Sequence, residues 1–458
     1  MKKIKYFHLA IISVIAVIIA VLNPLRLDFN QNILFSAMIF TVALWATSAV
    51  HKSIACIFLL ITAFIFGKTK AVNVINFVWS DTNLLIVTTT LLSVGIMKTG
   101  LIHKYVEKLL KSSSSSIFKL LLLPYIFGIL LIFLIPQAFA RVIIIGAIFN
   151  GLLIANTESE KKAKQALIFN GFVAVTMTYM FFSNGDIVLN QSAIKFSGEE
   201  VGKILTFSNW FKLMSLPTLI TCGITLFLTY LIFRKELQGF NVNMISKSNV
   251  NSNEVSKTKQ QISVFTMAII IICWMTESFH HISPWIFAII GVSVMFLIKV
   301  LEIKDLKSIN LHFVLFLMTV FSIGKILGQS GITNIIFENL KTMIPNTNSG
   351  MYLIIIAIVV MILHSIIGSS VATMSVVLPI FIPLTQSLGY KPEVITLMTY
   401  IIVNIHFLLP FNHATVMIGT AKEYYPEKYM LRFGLYMTFI TVFILVVYFN
   451  WWKLLNVL

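Results

Sequence analysis

The chain has 458 residues, of which 58% are hydrophobic and only 11% are charged, and its mean hydropathy is +0.92. A soluble domain carries about 25% charged residues, so this chain has too little polar surface for a water-soluble globule. Its formal charge of +17 lies mostly in Lys and Arg between apolar runs, where such residues set membrane orientation and meet anionic headgroups. The composition therefore predicts an all-α polytopic membrane protein whose partner is the lipid bilayer, with no nucleic acid.

Apolar segments follow one another along almost the whole chain, and a membrane-spanning helix needs about 20 apolar residues. The candidate spans are 8–23, 32–50, 53–67, 83–97, 166–182, 209–233, 263–280, 284–300, 310–327, 395–418 and 433–449. Two further apolar stretches, 117–155 and 351–385, are too long for one span, and small or polar residues interrupt each near its middle. We expect about 11 transmembrane helices and two re-entrant helical hairpins.

The distribution of Lys and Arg predicts how the chain is oriented. Three of the first five residues are Lys, which indicates a cytoplasmic N-terminus. The basic segments 98–119, 156–165 and 234–262 fall on the same side if the stretch 117–155 enters and leaves the membrane on one side. Eleven crossings then leave the C-terminus outside the cell. The sequence therefore predicts a multi-pass protein of the plasma membrane.

Two parts of the sequence repeat the same order of features. Residues 92–101 read LSVGIMKTGL and residues 321–332 read FSIGKILGQSGI. A short amphipathic stretch follows each motif, at 103–111 and at 333–341, and an interrupted apolar stretch comes next. Internal self-similarity of this kind is the sequence signature of a duplicated fold.

The interruptions occupy matching places in the two repeats. The break at Pro136 lies 36 residues past Gly100, and the break at Gly368 lies 37 residues past Gly331. A second interruption follows in each half, and an odd number of crossings per half implies that the second half is inserted upside down. We predict a single membrane domain with these parts: an extra first helix at 8–31, repeat 1 at 32–235, a cytoplasmic linker at 236–262 and repeat 2 at 263–458.

Inverted repeats with broken helices are how many secondary transporters form a binding site near the middle of the membrane. Backbone groups that a helix break sets free find no partner in lipid, so such breaks survive only against protein or a watery cavity. The exposed N-termini of the half-helices carry partial positive charge and favour an anion. The second interruptions, at 183–186 and 412–413, are therefore expected at the binding site.

The second repeat also carries family-like motifs. Residues 369–373 read Ser-Ser-Val-Ala-Thr with Leu-Pro at 378–379, residues 409–415 read Leu-Pro-Phe-Asn-His-Ala-Thr, and one last span follows Glu423. In these motifs and in the order of its elements, the chain resembles the divalent anion/sodium symporter family. The first repeat departs from the family pattern at 136–141 and 183–186. The resemblance implies a transporter fold, a small-molecule anion as substrate, sodium as a coupling ion and a homodimer.

The candidate site residues lie at the four interruptions. The predicted substrate-binding residues are Arg141, Gln137, Asn184, Ser369, Ser370, Asn412, His413 and Thr415. The predicted cation-binding residues are Ser183, Asp186, Ser370 and Thr373. We expect no cofactor, and either Na⁺ or H⁺ as the coupling ion.

Three of these residues carry ionisable groups at membrane depth. Arg141 is the only charge in the stretch 120–157; it could bind an anionic substrate, take the electrostatic place of a sodium ion, or pair with Asp186 to hold the first hairpin. Asp186 could bind a cation, carry a proton, or be a solvated loop carboxylate. His413 could donate to an anion or titrate in proton coupling, and the alternative is a hydrogen-bonded core histidine.

The pattern favours secondary transport of a small anion, an organic carboxylate, by alternating access. A cation/proton antiporter or an oxyanion efflux permease is an alternative of the same architecture. A membrane-embedded glycan polymerase or ligase is an alternative from another class, but such proteins carry a large outside loop, and no outside loop predicted here exceeds about 30 residues. We therefore expect a transporter and not an enzyme.

Overall fold

The structure is a computed structural model that describes residues 2–47, 49–67, 69–100, 116–245, 255–341, 350–409 and 412–458. Regular secondary structure in these residues is helical, apart from one isolated antiparallel bridge between Leu153 and Ile245. This confirms the predicted all-α class. The amphipathic stretch predicted at 103–111, the linker residues 246–254, and Pro410 and Phe411 lie outside the described residues.

Helices of eight or more residues are numbered here along the described chain. They are α1 Lys2–Leu22, α2 Phe29–Thr47, α3 Lys52–Phe66, α4 Asp81–Lys98, α5 Ile117–Leu130, α6 Ala138–Leu152, α7 Glu158–Thr178, α8 Ile187–Phe196, α9 Phe207–Ile232, α10 Lys257–Met275, α11 Pro284–Leu297, α12 Leu311–Gln329, α13 Ile332–Lys341, α14 Gly350–Ile367, α15 Ser370–Gln386, α16 Pro392–Ile405, α17 Ala414–Ala421 and α18 Glu427–Leu454. Each predicted span overlaps at least one of these helices, with ends that differ by several residues.

Four of the described helices, α9, α10, α12 and α18, are long and apolar enough to cross a membrane on their own. Nine shorter apolar helices accompany them, and these belong mainly to the interrupted segments and their neighbours. The outward faces of α9 and α18 carry exposed large apolar side chains; Phe439, for example, is 75% exposed. Such a surface suits lipid and would be unfavourable in water.

The packing of the helices corresponds between the two halves. In the first half α5 and α6 pack on α7, and in the second half α14 and α15 pack on α16. The short helix of each half packs against the other half: α8 packs against α15, and α17 packs against α6. Likewise α3 contacts α12, and α11 contacts α4. This exchange is the relation that a two-fold axis between two repeats produces. The inversion across the membrane and the repeat boundaries stay predictions.

Glycines end the corresponding helices of the two halves in the left-handed conformation. Gly100 follows α4 with a φ of 72°, and Gly331 follows α12 with a φ of 78°. Gly368 has a φ of 67° at the second hairpin tip. L-residues with a side chain rarely adopt this conformation, so glycine is the residue that permits these turns.

Each half contains one helix that stops inside the protein and resumes. Helix α7 ends at Thr178, and after a short 3₁₀ turn and a loop α8 begins at Ile187. Helix α16 ends at Ile405, and α17 begins at Ala414. Helices α7 and α16 lie at the centre of the fold, because most of their residues are fully buried. The interrupted helices therefore form the core around which the other elements pack.

Gly434 provides a test of how closely the last helix approaches the break after α16. A Cβ atom at this position would lie 2.2 Å from the carbonyl oxygen of Phe407, which is too close for any side chain. We expect Gly434→Ala to destabilise the protein by about 1–3 kcal/mol, as overpacking does. Gly223→Ala in α9, where a Cβ would meet nothing within 4 Å, is the control and should raise the melting temperature slightly or leave it unchanged. Thermal unfolding in detergent measures both, and equal melting temperatures would contradict the predicted contact.

Candidate functional site

A cavity of about 620 Å³ lies between the second hairpin tip, the N-termini of α8 and α17, and the α3 and α12 side of the fold. Its polar lining comes from the hairpin tip and the start of α17 on one side, and from the beginnings of α3 and α12 on the other. Its apolar lining includes several aromatic rings. The lining residues that matter for its chemistry are His51, Lys52, Ser53, Asn310, His312, Ser369, Ser370, His413 and Thr415, with Trp45, Phe139, Val188, Leu189, Phe313 and Phe316.

Several helices begin at this cavity. Ser369 is the N-cap of α15, and its side chain accepts from the backbone N–H of Ala372. His413 is the N-cap of α17, and Asn310 is the N-cap of α12. The N-terminus of a helix presents unpaired N–H groups and partial positive charge. Several such ends facing one space form a favourable environment for a negative charge.

Among the described residues that line the cavity, the one charged side chain is the positive Lys52. Lys52 lies at the start of α3, with its Nζ 5.5 Å from the ring centroid of Phe316. The rings of His51 and His312 have centroids 4.9 Å apart, and His312 Nδ1 lies 3.0 Å from the hydroxyl of Ser53. None of the described residues that line the cavity is Asp or Glu. Its electrostatics therefore favour an anion over a cation.

Sequence reasoning missed Lys52, His51 and His312 as site residues. They lie at or beside the starts of apolar segments, where basic residues ordinarily indicate membrane orientation. The beginnings of α3 and α12 come from opposite halves of the chain and meet only in the folded protein. The presence of two histidines and a lysine at the starts of two spans was a weak signal of a site. The sequence spacing did not show that these two span starts lie next to each other.

The second junction is the place where the second hairpin tip, at Gly368, meets the break between α16 and α17. Buried polar groups hold these two segments together. The side-chain amide of Asn412 donates to the carbonyl of His364 over 3.1 Å, and its oxygen accepts from the backbone N–H of Leu409 over 2.7 Å. The hydroxyl of Ser370 donates to the carbonyl of Val403 over 2.9 Å. These bonds occupy Asn412 and Ser370 in holding the backbone, although Ser370 also borders the cavity.

Thr373, predicted as a cation ligand, is engaged in the same way. Its hydroxyl donates to the carbonyl of Ser369 over 2.9 Å and lies 3.1 Å from His364 Nδ1. Ser369, His413 and Thr415 remain as predicted substrate-binding residues that line the cavity and do not tie the two backbone segments together. Among the described residues there is no group of three His, Cys, Asp or Glu side chains that could hold a metal ion.

The first junction, where the first hairpin meets the break between α7 and α8, contains its own charges. Arg141 is fully buried, and its Nη2 donates to the carbonyl of Gly185. The carboxylate of Asp186 caps α8 by accepting from the backbone N–H of Val188 over 3.2 Å. The backbone N–H of Ile187 donates to the carbonyl of Pro136 over 3.1 Å, and this bond joins the first hairpin to the break between α7 and α8.

The other predicted residues of the first junction also lie away from the cavity. Ser183 and Asn184 are buried, and both side-chain polar atoms of Asn184 are without a hydrogen-bond partner in the described part of the chain. The amide of Gln137 donates to the hydroxyl of Thr90 on α4. Arg141 Nε and Nη1 and Asp186 Oδ2 also lack partners among the described residues. No described ion pair within 4.0 Å joins Arg141 to Asp186, so the two charges attract each other without direct contact.

A continuous series of buried hydrogen bonds connects the two junctions. The hydroxyl of Tyr179 donates to Asn404 Oδ1 and lies 3.1 Å from His413 Nε2. The side-chain amide of Asn404 donates to the carbonyl of Tyr400 over 2.7 Å. The hydroxyl of Tyr400 donates to Asn190 on α8 over 2.7 Å. His413, which lines the cavity, is thus linked to α8, the helix that Asp186 caps.

Comparison with known proteins identifies the class of protein to which this geometry belongs. The family model described as the sodium:sulfate symporter transmembrane region matches residues 2–458, almost the whole chain. No protein with curated annotation matches the sequence. Among solved structures, the YdaH transporter of Alcanivorax borkumensis is similar in fold, with a TM-score of 0.54 at 13% sequence identity over 83% of this chain and 88% of that one.

These matches confirm the resemblance seen in the second-repeat motifs. They also decide against the glycan polymerase or ligase alternative, since the family is one of transporters and not of enzymes. Together with the apolar helices, they confirm a multi-pass membrane protein that handles a small anion. The chain belongs to the sodium:sulfate symporter family of membrane transporters.

Proposed function

We propose that this protein is a secondary transporter of a small organic carboxylate, which binds in the 620 Å³ cavity. The observation that carries the proposal is the convergence of the helix N-termini capped by Ser369, His413 and Asn310 on a space that has a lysine and no acidic residue in its described lining. An anion is the ligand that such a space stabilises.

The size and walls of the cavity favour an organic anion over a bare inorganic one. Pockets for organic ligands are typically about 300–1,000 Å³ and are mostly apolar, with a few polar groups that fix orientation. Here Trp45, Phe139, Phe313 and Phe316 supply apolar surface beside the polar groups. A carboxylate with a hydrocarbon body would use both kinds of surface, whereas sulfate would leave the aromatic walls in contact with water.

We assign distinct roles to the residues around the bound anion. Ser369, His413 and Thr415 contact the carboxylate together with the N–H groups of α15 and α17. Lys52, at the exposed start of α3, attracts the anion and balances its charge. The predicted orientation, in which the basic segments face the cytoplasm, places the opening of the cavity on the cytoplasmic side. Movement of the hairpin-bearing unit against α3 and α12 would then give alternating access.

We propose that Arg141 is a resident positive charge that holds the first junction and does not contact the substrate. The guanidinium is fully buried, bonds the carbonyl of Gly185, and lies outside the cavity lining. Asp186 supplies the negative charge beside it. The site geometry thus favours an anion transporter over the antiporter in which Asp186 carries the ion. Sodium, which the family description names, is the first candidate for the coupling ion. The homodimer implied by the resemblance stays a prediction.

The anion proposal is tested by thermal stabilisation of the purified protein with fumarate, other carboxylates, phosphate and sulfate, each in sodium and in potassium buffer. A ligand that binds the folded state raises the melting temperature according to its concentration relative to Kd. We expect a carboxylate to give the largest shift, and sodium to increase it if sodium is co-transported. A larger shift with sulfate than with any carboxylate would contradict the organic substrate, and no shift with any anion would contradict the anion site.

Lys52→Gln is expected to weaken binding of the stabilising carboxylate about tenfold. A lost interaction with a charged group of about 1.5 kcal/mol corresponds to that factor. Lys70→Gln is the matched control, because Lys70 is exposed and is not part of the cavity lining. Titration of the melting shift or of transport in liposomes gives both values. Equal weakening by the two variants would show a general effect of surface charge and not a role for Lys52.

Arg141 and Asp186 are tested by a double-mutant cycle. Arg141→Met leaves the Asp186 carboxylate buried without its counter-charge, and Asp186→Asn does the reverse while keeping the cap of α8; either change should cost about 3–5 kcal/mol. We expect the combination of the two to restore most of the stability, and thermal unfolding measures all four proteins. Additive losses would show that the two charges do not interact, and a selective loss of anion binding in stable Arg141→Met would place Arg141 at the substrate instead.

A further inference from the structure

His413 is the most buried of the three histidines that line the cavity, with 1% of its surface exposed. It is the N-cap of α17, at the end of the second break. Its Nε2 lies 3.1 Å from the hydroxyl of Tyr179. Its Nδ1 is buried and has no hydrogen-bond partner among the described residues. A ring nitrogen in this condition is costly unless a ligand or a proton satisfies it.

The hydrogen bonds around Tyr179 determine which ring nitrogen carries the proton. The side-chain N–H of Asn404 donates to the carbonyl of Tyr400, so its oxygen faces Tyr179. The hydroxyl of Tyr179 has a single proton and donates it to that oxygen. The Tyr179 oxygen is therefore an acceptor toward His413, whose Nε2 must carry the hydrogen. The unpartnered Nδ1 is then a bare lone pair, which can only accept a hydrogen.

The groups that face His413 make a second proton unfavourable while the cavity holds no anion. The N-termini of α15 and α17 carry partial positive charge, and Lys52 lies on the opposite wall. The titratable and charged groups around it are Tyr179 just after α7, His51 and Lys52 at the start of α3, His312 on α12, His364 on α14, and His406 after α16, with Arg141 and Asp186 at the first junction. Lys52 and Arg141 repel an added positive charge, and the burial of His413 disfavours its charged form.

A bound anion reverses this balance. A negative charge at the N-termini of α15 and α17 attracts a proton to the adjacent imidazole, and a protonated Nδ1 becomes a donor to the anion. Each ligand therefore improves the binding of the other, and this coupling is reciprocal by thermodynamic necessity. We propose that His413 takes up one proton at Nδ1 when the anion binds, so that the proton accompanies the substrate through the transport cycle. This inference rests on the proposed anion site.

The test measures anion affinity and proton uptake between about pH 6 and pH 8, the range in which histidine changes charge. The probes are fumarate and sulfate, because both keep their full charge in this range. Titration calorimetry of the full-length protein in two buffers of different ionisation enthalpy counts the protons bound per anion. We expect uptake to approach one proton and Kd to rise by up to about tenfold per pH unit. His413→Gln should abolish both the uptake and the pH dependence.

Three further variants distinguish the role of His413 from a general effect. His312→Gln and His406→Gln should keep the pH dependence. His312 lines the cavity, but its Nδ1 is hydrogen-bonded to Ser53; the Nδ1 of His406 has no partner among the described residues, but His406 does not line the cavity. Tyr179→Phe should retain anion binding but reduce proton uptake, because the neutral imidazole can then carry its hydrogen on Nδ1.

The outcomes separate this inference from the proposed function. Binding with no proton uptake, or a pH dependence that survives in His413→Gln and disappears in His312→Gln, overturns the inference and leaves the anion site standing. If neither fumarate nor sulfate binds at any pH, the proposed function is overturned and this inference with it. If His413→Gln does not fold, Tyr179→Phe decides: unchanged proton uptake in that variant contradicts the assignment to His413.

Discussion

The structure depends on one constraint, which is that backbone groups released by a broken helix must find partners within the protein. Lipid offers no hydrogen bonds, and each unsatisfied group costs several kcal/mol there. The break after α16 meets this constraint through Asn412, which bonds the carbonyl of His364 and the N–H of Leu409. The break after α7 meets it through the bond from Ile187 N–H to the carbonyl of Pro136. In both halves the hairpin serves as the partner of the break.

The two junctions satisfy the constraint differently, and this difference supports the proposed binding site. In the first junction the protein supplies its own charges, with Arg141 bonded to Gly185 and Asp186 capping α8. In the second junction the helix starts at Ser369 and His413 face a cavity with no acidic group in its described lining. A carboxylate at the first junction is thus part of the chain, whereas at the second it has to come from solution. This asymmetry argues for one anion site per chain.

Much of this arrangement could be predicted from the sequence. The hydropathy pattern and the matched motifs at 92–101 and 321–332 predicted the class and the places of the interruptions, because lipid and helix breaking impose strong local signals. The cavity residues Ser369, His413 and Thr415 lie at those interruptions. Lys52 and His312 were missed because their roles depend on packing between helices far apart in sequence. Arg141 was singled out correctly as unusual, but only the fold shows that its guanidinium points to Gly185 and lies outside the cavity lining.

The buried network also indicates which parts of the protein move together. Tyr179, Asn404, Tyr400 and Asn190 join the two junctions by hydrogen bonds, and each bond broken inside the core would leave buried groups unpaired at a cost of about 1–3 kcal/mol. A motion that separated the junctions would break several of these bonds at once. The wall formed by α3 and α12 faces the same cavity through Lys52, Ser53 and His312 and through the rings of Phe313 and Phe316. The described hydrogen bond of this wall, between Ser53 and His312, stays within it, so the wall can slide past the junctions without losing that bond. The least costly movement therefore keeps the two junctions as one rigid unit and shifts that unit against α3 and α12, which is the motion that the proposed alternating access requires.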